Sequence, residues 1–237
     1  MKSELSINLT PTESDLKVIE EWLSNEYKKY KEGFYCNWNI IEKLFSLNRL
    51  ISFKLSDKII GFLVYSPGEI YIEIDIFEIQ RKYRGKGYGK ISYNLVAETF
   101  KNQNFKAVEL FCEPVESERF WRSLEFVKFP ERGYSESDLT FYKTLISHTE
   151  TTNTPNDLNK LELWDVEPFQ KDRVAPCWSW NIENSKLTKP IIHPCNVNWN
   201  LRWTKNGKIE REDKVKYFSR NNPIDFDPFM YIENLDE

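Results

Sequence analysis

The residues whose types and spacing could do chemistry lie mostly between positions 69 and 90. Arg81-Lys82-Tyr83-Arg84-Gly85-Lys86-Gly87-Tyr88-Gly89-Lys90 sets three glycines at alternate positions among cations, directly before a helical pattern. Glycine lets a backbone approach a ligand closely with its N–H groups turned inward. A helix N-terminus behind the loop adds roughly half a positive charge aimed at the same point. Strand, glycine-cation loop and helix therefore read as a cradle for a diphosphate. It is not a Walker A loop, because Ile91 follows Lys90 where that motif has Ser or Thr. Nor is the 85, 87, 89 spacing that of a dinucleotide fingerprint.

Upstream of the loop, Ile70, Ile72, Ile74 and Ile76 alternate with Glu69, Tyr71, Glu73 and Asp75, the period of a strand with one buried face. Beyond Ile76 the next strongly apolar positions are Phe77 and Ile79, so the phase switches. A β-bulge would explain the switch and would leave backbone N–H groups open to a ligand. The other reading is that the strand ends and Phe77 begins a loop. Cys36, Cys112, Cys177 and Cys195 are widely spread, with no CxxC pair. Cys177, His193 and Cys195 lack a fourth ligand at a recognisable spacing, so no metal is expected.

These residues need elements to position them, and residues 1–147 supply an alternating pattern. Leu5–Leu9 reads as a strand, and Thr12 or Ser14 caps a helix through Glu26 with Val18, Ile19, Trp22 and Leu23 as its stripe. A second helical pattern covers Trp38–Leu47. Strands follow at Leu50–Leu55, Ile59–Tyr65 and Glu69–Ile79, then a helix at Gly87–Asn102 and a strand at Ala107–Cys112. A helix over Glu116–Leu124 and a strand over Leu139–Leu145 close the pattern. This is an α/β (α+β) class whose hairpins make the sheet mixed and mostly antiparallel, flanked by helices.

The composition then changes. Residues 151–237 hold seven of the eleven prolines and five of the eight tryptophans, but one of the eight glycines. Residues 148–159, a polar Thr/Asn/Pro run, are expected to be a linker. Residues 160–237 are expected to form a small β-rich appendage, with Asn206-Gly207 as a hairpin turn. Trp178, Trp180, Trp199 and Trp203 either fill its core or line a pocket. The net charge of −4 argues against a general nucleic-acid binder. No apolar run long enough for a membrane span occurs, and Met1–Pro11 lacks a signal-peptide core, so a cytoplasmic location is expected.

Ile79-Gln80-Arg81-Lys82-Tyr83-Arg84-Gly85-Lys86-Gly87-Tyr88-Gly89 resembles the acetyl-CoA-binding motif of the GCN5-related N-acetyltransferases, the GNAT superfamily. Arg84, Gly87 and Gly89 fill its Q/R-x-x-G-x-G/A pattern, and the element order over residues 1–147 is similar. The resemblance implies acetyl-CoA as cosubstrate and transfer of its acetyl group to a primary amine of a small molecule, peptide or protein. Phe77 and Ile79 would face the pantetheine arm. Arg84, Gly85, Lys86, Gly87, Tyr88, Gly89 and Lys90 would hold the pyrophosphate. Glu73 lies where some members carry a general-base glutamate, with Asp75 in reserve on the same strand face. Both could instead simply solvate that face. Homodimers are compatible with the resemblance.

One departure stands out. The family often places a tyrosine after the next strand to protonate the departing thiolate, and alignment on Phe126 puts Trp121 there. An indole N–H is no practical acid at neutral pH. Tyr88, Tyr134 and Tyr142 are the replacements, with Tyr142 as the first choice. The alternative to an enzyme is a non-catalytic acyl-CoA-binding or protein-interaction module with a Trp-rich recognition appendage.

Overall fold

Thr12 opens the first helix, α1 (Glu13–Tyr30), with a capping box: its hydroxyl accepts the Asp15 N–H while the Asp15 carboxylate accepts the Thr12 N–H. The apolar stripe Leu16, Ile19, Trp22 and Leu23 buries against one face of a sheet, joined by Ile41 and Leu44 of α2 (Trp38–Ser46). The computed structural model describes residues 4–130, 139–183, 187–218 and 228–235, and divides the chain into two units. One comprises Met1–Val127 with Leu139–Leu145, and the other is the remainder.

The sheet of the first unit contains β1 (Leu5–Asn8), β2 (Leu50–Leu55), β3 (Lys58–Pro67), β4 (Tyr71–Ile79), β5 (Ala107–Phe111), β6 (Val127–Lys128) and β7 (Thr140–Thr144). Their spatial order is β1-β2-β3-β4-β5-β7-β6. The β4–β5 pair is parallel, while β1–β2, β2–β3, β3–β4 and β5–β7 are antiparallel. The parallel pair needs a crossover, which α3 (Tyr88–Asn102) provides. Tyr93, Val96 and Phe100 of α3 and Trp121 of α4 (Glu118–Ser123) pack on the second sheet face with Phe53, Leu63, Ile72, Ile74 and Leu110. The expected helices and long strands are present. The expected helix at 116–124 is shorter, because Val115–Ser117 forms a 3-10 turn ahead of α4.

The second unit holds β8 (Lys160–Leu163), β9 (Trp178–Asn181), β10 (Ile191–Pro194), β11 (Asn200–Lys205), β12 (Lys208–Lys214), α5 (Val215–Phe218) and β13 (Phe229–Ile232). They form an antiparallel sheet in the order β12-β11-β8-β9 and a β10–β13 pair. Asn206 and Gly207 both take positive φ, 52° and 75°, so the β11–β12 hairpin turns where expected. Trp180, Trp199 and Trp203 are buried in this unit's core, and Trp178 stacks on Trp199 at 5.4 Å. The tryptophans therefore serve packing. Residues within the expected 148–159 linker make hydrogen bonds to β-rich segments of the second unit. Thr149 and Thr152 donate their N–H groups to the Pro190 and Ser179 carbonyls, and Asn156 donates to the Asn181 side chain.

Candidate active site

The phase switch is a bulge, and it lies one residue earlier than the sequence suggests. Val64 pairs with Ile76 and Tyr65 with Ile74, which leaves Asp75 as the extra residue of β4. Before it, Ile72 and Ile74 face the α3/α4 layer. After it, Phe77 and Ile79 take that face while Ile76 turns to the α1/α2 layer. One inserted residue thus moves every later side chain to the opposite face.

The bulge coincides with a parting of the sheet. Pairing of β4 with β5 ends at Ile74↔Leu110, so residues 75–79 have no ladder partner on that side. A cleft of about 1490 Å³ occupies this gap and reaches from the glycine loop to α1. Phe77, Ile79, Leu110 and Phe111 give it apolar walls, and Arg84, Gly85, Gly87, Gly89 and Lys90 line its cationic end. Both residues expected to face a pantetheine arm are therefore in the lining.

The loop has the shape the glycines imply. Gly85 and Gly87 have φ of +72° and +84°, angles that L side chains tolerate poorly, and a Cβ on either would meet nothing within 4 Å. The space over them is open for a ligand. Gly89 differs, because a Cβ there would lie 3.1 Å from Phe120, so it serves the packing of α3. The α3 N-terminus has no side-chain cap, and its first intrahelical bond runs from Ile91 N–H to the Gly87 carbonyl. The first-turn N–H groups ahead of it are those a helix leaves without an intrahelical acceptor, the donors an anion site uses. Lys86 donates to the Lys82 carbonyl, and Tyr88 packs edge-on against Tyr83. The Arg84 guanidinium is turned back. It donates to the Ile79 carbonyl at 2.8 Å and pairs with Glu78.

The carboxylates separate in role. Asp75 lines the cleft and accepts a hydrogen bond from the Ser66 hydroxyl at 2.9 Å. Desolvation raises its pKa above the usual aspartate value, against that hydrogen bond and the charges of Arg49 and Lys43. Glu73 is half-buried and outside the cleft lining, and burial and then the Asp75 charge raise its pKa. Tyr142 lies on β7 opposite Glu109 and is not among the lining residues. Tyr134 lies outside the described residues. Trp121 is buried edge-on to Phe77, Tyr93, Phe120 and Phe126, so its ring forms part of the apolar wall.

Two residues escaped the sequence reading. Gly61 sits opposite Ile79, where a Cβ would lie 2.5 Å from the Glu78 carbonyl oxygen, so β3 and β4 can approach only with glycine there. Glu78 is 7% exposed, lines the cleft, and has its pKa pushed up to about 7 by burial, against the opposing charge of Arg84. Once the bulge is placed, Glu78 shares the inward face of Ile76, and a glutamate at a core-facing position is the signal. Among the described residues, no three His, Cys, Asp or Glu side chains cluster to hold a metal, and no helix is long and apolar enough to cross a membrane.

Residues 16–126 match the model of the acetyltransferase (GNAT) family. Ard1 from Thermoplasma volcanium is 18% identical, with 60% of this chain and 99% of that one covered and a TM-score of 0.46. The PaiA N-acetyltransferase from Thermoplasma acidophilum, in complex with coenzyme A, gives the same identity, coverage and TM-score. N-acetylglutamate synthase from Neisseria gonorrhoeae, complexed with coenzyme A and N-acetyl-glutamate, is 8% identical, with 62% of this chain and 36% of that one covered and a TM-score of 0.46. No curated protein matches the sequence.

Proposed function

Starting from residues 16–126 as a GNAT-family acetyltransferase domain, we propose that this protein moves the acetyl group of acetyl-CoA to a primary amine by direct attack on the thioester. The observation that carries the reading is the coincidence of three features at one cleft: the bulge at Asp75, the parting of β4 from β5, and the open glycine loop before an uncapped helix. The diphosphate would lie on the N–H groups of the loop and the first turn of α3, with Lys86 and Lys90 supplying cations. The pantetheine would run along the unpaired edge of β4 between Phe77, Ile79 and Leu110. Acetyl-CoA supplies the activated acyl group and the thiolate leaving group.

An ammonium ion cannot attack, so its proton must leave first. Asp75 takes that proton, directly or through water, and desolvation keeps its affinity for protons above that of an ordinary aspartate. The neutral nitrogen then bonds to the thioester carbon. The developing oxyanion meets backbone N–H groups of the bulged strand, the carbonyl re-forms as the carbon–sulfur bond breaks, and the proton still on the nitrogen passes to water or to the departing thiolate. A thiolate with a pKa near about 8.5 leaves without a dedicated acid, which fits Trp121 in the wall and Tyr142 away from the lining. The test is thiol release from acetyl-CoA against a panel of amines, with mass spectrometry of the product. Turnover lost in Asp75→Asn supports the mechanism. Tight CoA binding with no turnover on any amine points instead to the non-catalytic module.

A further inference from the structure

We propose that Glu78 is a positioning residue of the cofactor site, holding the Arg84 side chain against the end of β4 so that Arg84 acts as a latch on the glycine loop and not as a phosphate ligand. The inference rests on the reading that the loop holds a diphosphate. Its ground is the geometry of four groups. Arg84 is the first residue of the loop, immediately before Gly85 and Gly87 turn the backbone. Its Nε donates to the Ile79 carbonyl and a terminal nitrogen pairs with the Glu78 carboxylate. Residues 79–84 are thereby closed into a ring across the 3-10 turn Arg81–Tyr83. Glu26 of α1 accepts the Arg81 N–H at 3.0 Å and steadies the same turn from the other side.

Two features separate this arrangement from ordinary packing. A carboxylate on the face of Ile76, 7% exposed, is an expensive choice where an apolar side chain would fill the space. The groups facing it are Arg84 from the loop, Glu26 from α1 and the backbone N–H of Ile79, and burial with Glu26 outweighs the others to lift its pKa to about 7. Its ionised form therefore works against the stability of the fold while it holds the loop. A loop fixed in advance binds its ligand without a further loss of freedom, so the latch favours affinity.

The experiment measures CoA binding by calorimetry, and thermal midpoints, for Glu78→Gln, Arg84→Gln and the double variant of the full chain. The latch predicts that each single change weakens CoA by about tenfold, the loss of one charge-assisted contact's effect. The double change should be no worse than either alone, because both remove one device. Glu78→Gln should also raise the thermal midpoint at pH 8 while lowering affinity, and the affinity gap to the parent should close as pH falls below about 7. Phosphate titration cancels in that comparison. Unchanged or tighter CoA binding in Glu78→Gln would mean that freed Arg84 serves the phosphates, and would overturn the proposal. Additive losses would do the same. If the parent does not bind CoA, the reading of the loop itself has failed.

Discussion

Gly87→Val isolates the ligand's need for the loop from the fold's. Gly87 has φ +84° and ψ −7° at the start of α3, and a Cβ built on it meets no atom within 4 Å. The free protein therefore pays no steric price, and its only loss is the left-handed backbone, roughly 1–2 kcal/mol for an L residue. That lowers the thermal midpoint by a few degrees. A bound diphosphate must come within hydrogen-bond reach of the N–H groups beside this position, where the isopropyl group would stand. Losing two or three charge-assisted contacts at about 1.5–3 kcal/mol each weakens CoA by more than a hundredfold. Calorimetric titration with CoA, beside a thermal scan of the same sample, reads both numbers. A Gly87→Val protein that binds CoA within about threefold of the parent refutes the cradle, because nothing would then occupy the open space.

Gly61→Ala should behave in the opposite way: its Cβ would lie 2.5 Å from the Glu78 carbonyl oxygen, so the thermal midpoint should fall by the equivalent of about 1–3 kcal/mol. Asp75→Asn should lower kcat by about 10²–10⁴-fold with CoA affinity retained, as removal of a general base does. Because desolvation raises the Asp75 pKa, the acid limb of the pH–rate profile should lie above the ordinary aspartate value, activity falling as pH drops through it. In the second unit, burial works to raise the Glu212 pKa, but hydrogen bonds from Lys171, Asn200 and Arg202 outweigh it and hold the carboxyl below the usual range. Its stabilising contribution is present above about pH 4.5 and lost as pH falls through the lowered value, and Glu212→Ala should cost about 1–3 kcal/mol in denaturant melts at neutral pH.

What the sequence determined by itself is local. Thr12 with Asp15, the Ile72/Ile74 alternation, Asn206-Gly207 and the positive-φ glycines of the loop depend on neighbours a few residues away, and each appears where its chemistry predicts. The loop's shape was legible for the same reason, since positive φ at Gly85 and Gly87 is a property of those residues. The tertiary structure decided everything that depends on which strand lies opposite. Only the register of β3 against β4 puts the extra residue at Asp75, which in turn brings Asp75 into the cleft and sends Glu78 inward. The gap at residues 75–79 likewise exists because β5 stops pairing at Ile74, a partner more than thirty positions away in the chain. Tyr142 is the same lesson in reverse: its chemistry suits an acid, yet its place in the β5–β7 ladder keeps it out of the cleft lining. A side chain's reactivity is written in its own atoms, but its neighbours, its burial and hence its pKa are set by chain segments that only folding brings together.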